Sequence, residues 1–172
     1  MDLRTICIIP ARGGSKGLLR KNTLRLGGET LISRVVNDVI AAGVAEAVVV
    51  TTDDKDIAEL ALEAGAEVPF LRPSALSGDL ATTEETLKHA LIEYEAMVNV
   101  KYDTALFLTA TDVFRNLDQI KEVVRRLHAN PSLESVFVGY KTHKNFWEVS
   151  EVGKYERVKG WMSNYSSRQV RN

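Results

Sequence analysis

A chain of 172 residues, 45% apolar and 26% charged, has the length of one domain and enough apolar material for a core. Its 22 cations and 23 acids leave a net charge of −1, so nothing in the total argues for nucleic acid or a membrane surface as partner. Cys7 is the only cysteine, so no disulfide framework can form within the chain.

The first predicted element is a short buried strand, Ile6 to Ile9, that Pro10 ends. This apolar run is too short for a secretory leader, and no stretch approaches bilayer length, so a cytoplasmic protein is expected. The loop over 10–22 follows, with three glycines (Gly13, Gly14, Gly17), the Ser15 hydroxyl and four cations (Arg12, Lys16, Arg20, Lys21). Glycines let backbone approach a ligand closely, and successive amides in such a bend make an anion-binding concavity. The four cations would repel one another in an empty loop, and a triphosphate would remove that conflict. The spacing fits neither G-x-x-x-x-G-K-[ST] nor G-x-G-x-x-G. A solvated basic surface turn is the plainer alternative.

Apolar residues at helical spacing predict a helix over 31–40, with Thr30 as cap and Gly43 as stop. Ala47 to Val50 is a continuous apolar run, the mark of a strand covered on both faces. It delivers Thr51, Thr52, Asp53 and Asp54 at its C-terminal end, before a helix over 55–64. Residues 68–71, broken by Pro69, support no more than an edge strand. After a polar loop, Thr82 and Glu85 form a capping-box pattern that opens a helix to about Met97. A strand over 104–108, an exit loop over 109–115, and a helix over 117–129 capped by Asn116 come next. A strand over 135–138 and an antiparallel ribbon from Phe146 onward complete the reading.

Strands alternating with helices imply a Rossmann-like, mostly parallel sheet with helices on both faces, plus a small antiparallel extension, in a single domain over 1–172. Ligands of such sheets bind outside the carboxyl ends of the strands. The polar clusters 10–22, 51–54, 72–83 and 109–115 should therefore meet on one rim. Residues 1–25 carry six cations against Asp2, whereas 46–67 carry seven acids against Lys55, a contrast suited to a compact anionic ligand. Arg12, Lys16 and Lys21 are the candidate catalytic residues, through contacts to phosphate. Helix capping explains Thr82 and Thr83 equally well. Asp53, Asp54, Asp79 and Asp112 are oxygen donors of the kind that suit magnesium, with cap or turn duty as each one's alternative. His89, His128 and His143 lack metal-ligand spacing and are expected on helix surfaces or loops. No nucleophile constellation is present, so chemistry would rest on positioning and charge neutralisation, as in phosphoryl or nucleotidyl transfer.

Taken together, these residues resemble the acylneuraminate cytidylyltransferases, the CMP-sialic acid synthetases, and their relatives acting on 3-deoxy-manno-octulosonate. Ile9 to Gly17 with Lys21-Asn22 is similar to the family's nucleotide loop nearly letter for letter. Thr51-Thr52-Asp53-Asp54 is similar to its Ser-Thr-Asp-Asp, and Arg72-Pro73, Leu76, Asp79 and Ala81-Thr82-Thr83 to its R-P-x-x-L-x-x-D-x-A-S-S. The resemblance implies CTP and an acidic sugar as substrates, with magnesium as cofactor. The sugar's anomeric hydroxyl would attack the α-phosphate, giving a CMP-sugar and pyrophosphate. It implies a nucleotide site of Ala11, Arg12, Gly13, Gly14, Ser15, Lys16, Lys21, Asn22, Arg72, Ala81, Thr82 and Thr83. For the sugar it implies Thr109, Thr111, Asp112, Arg168 and Gln169, and it leaves the metal ligands unassigned.

Two departures stand out. Where the family has L-Q-P-T-S-P-L-R, this chain has Leu108-Thr109-Ala110-Thr111-Asp112-Val113-Phe114-Arg115, so Thr109 replaces a sugar-associated glutamine and Asp112 adds a charge. Ser167-Arg168-Gln169 is similar to the family's R-Q segment, but its N-G-A-I-Y stretch, later D-x-D and usual dimer segment have no counterpart. The expectation is a C-terminally shortened cytidylyltransferase, with a homodimer compatible but unsupported by that segment. Alternatives are a nucleotide-binding homologue without turnover, a 3-deoxy-manno-octulosonate cytidylyltransferase and, ranked last, a sugar-1-phosphate guanylyl- or uridylyltransferase.

Overall fold

The computed structural model describes residues 3–15, 17–78 and 80–139, together with the backbone of 147–149 and 155–157. Residues 1–137 form one compact unit and 138–172 a second.

In the first unit β1 (Thr5–Pro10) is the middle strand, and its apolar residues are buried on both faces. The loop 11–20 and a 3-10 turn, Lys21–Thr23, lead to a small hairpin of β2 (Arg25–Leu26) and β3 (Glu29–Thr30). Gly27 and Gly28, at φ 63° and 92°, make its reversal in a region that costs glycine nothing. Helix α1 (Leu31–Ala42) starts as expected, the Thr30 hydroxyl accepting from the Ser33 amide at 3.2 Å, and ends at left-handed Gly43. β4 (Ala47–Thr51) and α2 (Lys55–Glu63) follow. Residues 67–71 run beside β4 through two isolated parallel bridges, Val49 with Glu67 and Thr52 with Leu71, so the edge strand is reduced to its ends. Pro69 between them has no amide to donate. Helix α3 (Thr83–Val98), β5 (Thr104–Phe107) and α4 (Leu117–Ala129) complete the unit.

The sheet order is β4-β1-β5, all parallel, with Ile8 opposite Val49 on one side and Phe107 on the other. Alternation along β1 assigns its faces. Cys7 and Ile9 pack with Val50, with Ile32, Val35, Val36 and Val39 of α1, and with Ile57 and Ala61 of α2. Ile6 and Ile8 pack with Ala47, Val49 and with Ala90 and Tyr94 of α3. Each fully buried isoleucine contributes about 1.5–3 kcal/mol relative to exposure. Such two-sided burial holds β1 firmly, and with it the start of the loop after it.

The expected strand over 135–138 does not form. Phe137 is 86% exposed and Val138 56%, so these side chains have no face to bury, and an apolar run pairs as a strand only against a neighbour. The antiparallel ribbon is present in the second unit as β6 (Trp147–Val149) and β7 (Tyr155–Arg157). Among the described residues no helix is long and apolar enough to cross a membrane.

Candidate active site

From β1 the chain crosses to β4 on one side, then returns to β5 on the other. The strand order therefore reverses between β1 and β5, and it is at the carboxyl end of such a reversal that parallel α/β sheets bind ligands. Hydrogen bonds tie three of the four expected clusters together there. The Ala11 amide donates to Thr51 O at 3.0 Å, and the Gly13 amide to Asp53 Oδ1 at 3.1 Å. Arg12 Nη1 reaches Gly78 O at 3.4 Å, while buried Asn22 donates from Nδ2 to Arg12 O at 3.0 Å and pins the loop from below. Ser15 N donates to Gly13 O at 2.9 Å and curls the segment.

Arg72 is the buried centre of this arrangement, its side chain only 4% exposed. Its amide donates to Thr52 O at 2.7 Å, its Nε to Ser77 Oγ at 3.2 Å, and its Nη2 lies 3.6 Å from Asp53 Oδ1. Burial lowers the Arg72 pKa, Asp53 opposes that shift, and the Arg12 charge adds to it. Asp53 thus joins the glycine loop to the arginine. Asp54 caps α2 by accepting from the Asp56 and Ile57 amides at 2.9 and 3.1 Å. Its carboxylate fills the space a side chain on Gly13 would need. Arg20, in a left-handed conformation, turns to Asp56 of α2. Lys21 opens the 3-10 turn and is half-buried, while Gly14 is exposed.

Thr82 performs the capping role in full. Its hydroxyl accepts from the Glu85 amide at 3.1 Å, and Glu85 Oε2 accepts from the Thr82 amide at 3.1 Å. That amide, and the Thr82 hydroxyl donating to Oε2 at 2.8 Å, hold the Glu85 carboxyl below its usual range. Ala81 is half-buried and Thr83 exposed at the first turn of α3. Lys16, Asp79, His143, Arg168 and Gln169 lie outside the described residues.

The fourth cluster follows β5, the strand beside β1. Thr111 and Asp112 are exposed there and Thr109 half-buried. The sequence reading left out what holds this loop: Arg115, 5% exposed in its side chain, donates from Nη1 to Asp38 Oδ2 of α1 at 3.0 Å and from Nη2 to Thr109 O. An arginine directly before the helix cap Asn116 was the available signal, but its partner lies 77 positions away. His89 and His128 also differ from expectation. His89 stacks edge-on against Phe70 at 5.4 Å with Nδ1 buried, and His128 Nε2 lies within 3.2 Å of the Thr5 and 3.1 Å of the Thr104 hydroxyl. Both are packed against strands or their neighbours because they fall on the inner faces of α3 and α4. Cys7 is a core residue whose thiol burial pushes up to about 12. No three His, Cys, Asp or Glu side chains converge among the described residues. Magnesium bridging phosphates needs only one or two carboxylates, so the oxygen donors at this rim fit that kind of ion.

A parallel sheet with a glycine-rich cationic loop at its switch point defines the class, a Rossmann-like α/β domain. The chain belongs to the cytidylyltransferase family, whose model matches residues 6–169. It is 38% identical over 130 residues to the pseudaminic acid cytidylyltransferase of Campylobacter jejuni, covering 76% of this chain and 56% of that one. It is 37% identical over 122 residues to the CMP-N,N'-diacetyllegionaminic acid synthase of Legionella pneumophila, covering 71% and 52%. The chain thus spans about half the length of these curated relatives. In fold it is similar to a CMP:2-keto-3-deoxy-manno-octonic acid synthetase solved with CTP, at TM-score 0.57, 21% identity and coverage of 76% and 49%.

Proposed function

We propose that the chain carries the nucleotide half of a CTP-dependent transferase that moves CMP onto the anomeric hydroxyl of an acidic, sialic-acid-like sugar. The observation that carries this reading is the joining of Arg12, Gly13, Asp53 and Arg72 at the switch point of a cytidylyltransferase-family sheet. Pseudaminic acid and diacetyllegionaminic acid, named for the relatives, define the acceptor class: nine-carbon sugars with a carboxylate.

In this reading Arg12 and Lys21, with Lys16 of the same loop, hold the triphosphate by charge and by arginine's planar fork. Asn22 and Asp53 act on the loop's backbone and keep it curled. The sugar hydroxyl approaches from the side of the loop after β5. Its oxygen forms a bond to the α-phosphorus as the bond to pyrophosphate breaks, and the hydroxyl proton leaves to solvent or base. Bound magnesium would neutralise the departing pyrophosphate. A cytoplasmic setting completes the proposal.

Pyrophosphate release from CTP and magnesium with pseudaminic, legionaminic, N-acetylneuraminic and 3-deoxy-manno-octulosonic acids tests it. Release dependent on one acidic sugar is expected. CTP binding without release on any of them would reduce the chain to a nucleotide-binding homologue. Should CTP at a hundred times its dissociation constant fail to stabilise the fold by the roughly 2.7 kcal/mol that linkage demands, the nucleotide site itself is misassigned.

A further inference from the structure

We infer that Arg115 is a positioning residue that fixes, from beneath, the backbone on which the acceptor sugar rests, and that Asp38 of α1 fixes Arg115 in turn. This rests on the acceptor reading above. A long cationic side chain in a loop ordinarily keeps its head in water. Arg115 does the opposite, with a side chain 5% exposed. Its planar fork joins Asp38 Oδ2, 3.0 Å from Nη1, to the carbonyl of Thr109. Lysine offers no such two-armed geometry.

The ladder between β1 and β5 ends at Leu108, whose amide donates to Ile8 O at 3.4 Å. Beyond it Ala110 is anchored in the core, and past that residue the loop buries little apolar surface. Phe114 is 94% exposed and so contributes no burial, while Thr111 and Asp112 face solvent. Thr109 O also accepts from the Asp112 amide at 3.4 Å, so the guanidinium grips the carbonyl that closes the turn 109–112. Arg115 Nε is buried without a hydrogen-bond partner among the described residues, and Asp112 Oδ2 lies 4.0 Å away. The guanidinium therefore braces both ends of the loop against α1. Buried ion pairs are seldom the best route to stability, since apolar substitutes of like volume do as well. This one sits where a loop, otherwise held loosely, needs a fixed shape.

The test uses the full chain and two variants, R115K and D38N. D38N removes the charge that holds Nη1 but keeps a side chain of the same shape, so this variant keeps the test alive if R115K fails to fold. Amide exchange read by mass spectrometry should speed up roughly tenfold or more in peptides over 109–115, with β1 and α1 unchanged. With pseudaminic acid as acceptor, the KM for the sugar should rise roughly tenfold while the KM for CTP stays within about twofold. Mere loss of folded protein would lower kcat and leave both KM values alone. Unchanged exchange over 109–115, or sugar and CTP constants rising together, overturns the inference. Wild-type chain that binds CTP but turns over no acidic sugar counts instead against the transfer reading, so the two can fail separately.

Discussion

Alanine at Gly13 would put a methyl 2.5 Å from Asp54 Oδ2, 2.9 Å from its Cβ and 3.1 Å from its Cγ. Rotating the carboxylate relieves the first contact but not the second, because Cβ moves only with the backbone. Two routes of relief are open. Asp54 can shift and give up the Asp56 and Ile57 amides, which costs about 1 kcal/mol for a lost helix cap. Alternatively the loop can retreat and break the Gly13 bond to the Asp53 carboxylate, worth about 1.5–3 kcal/mol for a charged partner. We predict a loss of about 1–3 kcal/mol, and at about 2–4 °C per kcal/mol in a chain of this size, a melting point lower by about 2–12 °C. Scanning calorimetry on G13A, D54G and G13A/D54G separates the clash from any effect of glycine's freedom. Glycine serves as an N-cap at a penalty of only a few tenths of a kcal/mol, and D54G removes every atom in the clash. In that background G13A should cost less than about 0.5 kcal/mol, leaving a coupling above about 0.5 kcal/mol. If G13A costs as much in the D54G background as it does beside Asp54, the close approach is not what forbids a side chain here.

Three more predictions follow from neighbouring groups. D53A leaves the Arg72 guanidinium buried beside Arg12 without its carboxylate; because Asp53 is partly exposed and 3.6 Å away, we expect about 2 kcal/mol, below the full penalty of an uncompensated buried charge, read by urea denaturation. A cost near zero would mean that Ser77 and the backbone suffice for Arg72. The Cys7 thiol, pushed up to about 12 by burial, should resist a thiol reagent in the folded chain and react promptly in urea; prompt native labelling would contradict its placement in β1. Hydrogen bonds from Arg125 and Arg126 hold Glu122 down to about 2, so its contribution is present above the ordinary carboxylate range of 4.5 and is lost as pH falls towards 2. The exposed pair makes that contribution small, and E122Q should flatten this acid limb of the melting curve, whereas an unchanged limb would show the pairing to be absent in solution.

Local signals carried much of the fold. Thr30 and Gly43 bounded α1, Thr82 with Glu85 opened α3, and Asn116 opened α4, because caps are decided by neighbours within a turn. The run 135–138 failed for the converse reason. A strand needs a partner, and no pattern within Val136-Phe137-Val138 says whether one is there. At the site, the loop 10–22 and its meeting with Asp53 and Arg72 were legible once a parallel sheet was assumed. The Asp38–Arg115 pair was not, since it depends on where α1 passes the loop after β5, a matter of tertiary packing. The resemblance drew attention to Thr109, Thr111 and Asp112, and so away from the guanidinium that supports them.

The acidic stretch 46–67 has a physical reason beyond contrast. A loop with Arg12, Arg20 and Lys21 so close together would open by repulsion if nothing answered it. The answers come from this stretch: Asp56 takes Arg20, and Asp53 takes both the Gly13 amide and Arg72. Asp54 works on the same problem sterically, filling the space under Gly13 while it caps α2. The acids on β4's exit are thus internal counterions that let a cationic cradle keep its shape before any ligand arrives. An anionic ligand then meets amides and cations already in place, and less of its binding energy goes into ordering the loop. The same reasoning explains why a chain of net charge −1 can present a basic site. The balancing charges sit beneath the cradle and along its flank, where they bond to backbone and guanidinium groups and, in the proposed reading, leave its upper face to the phosphates.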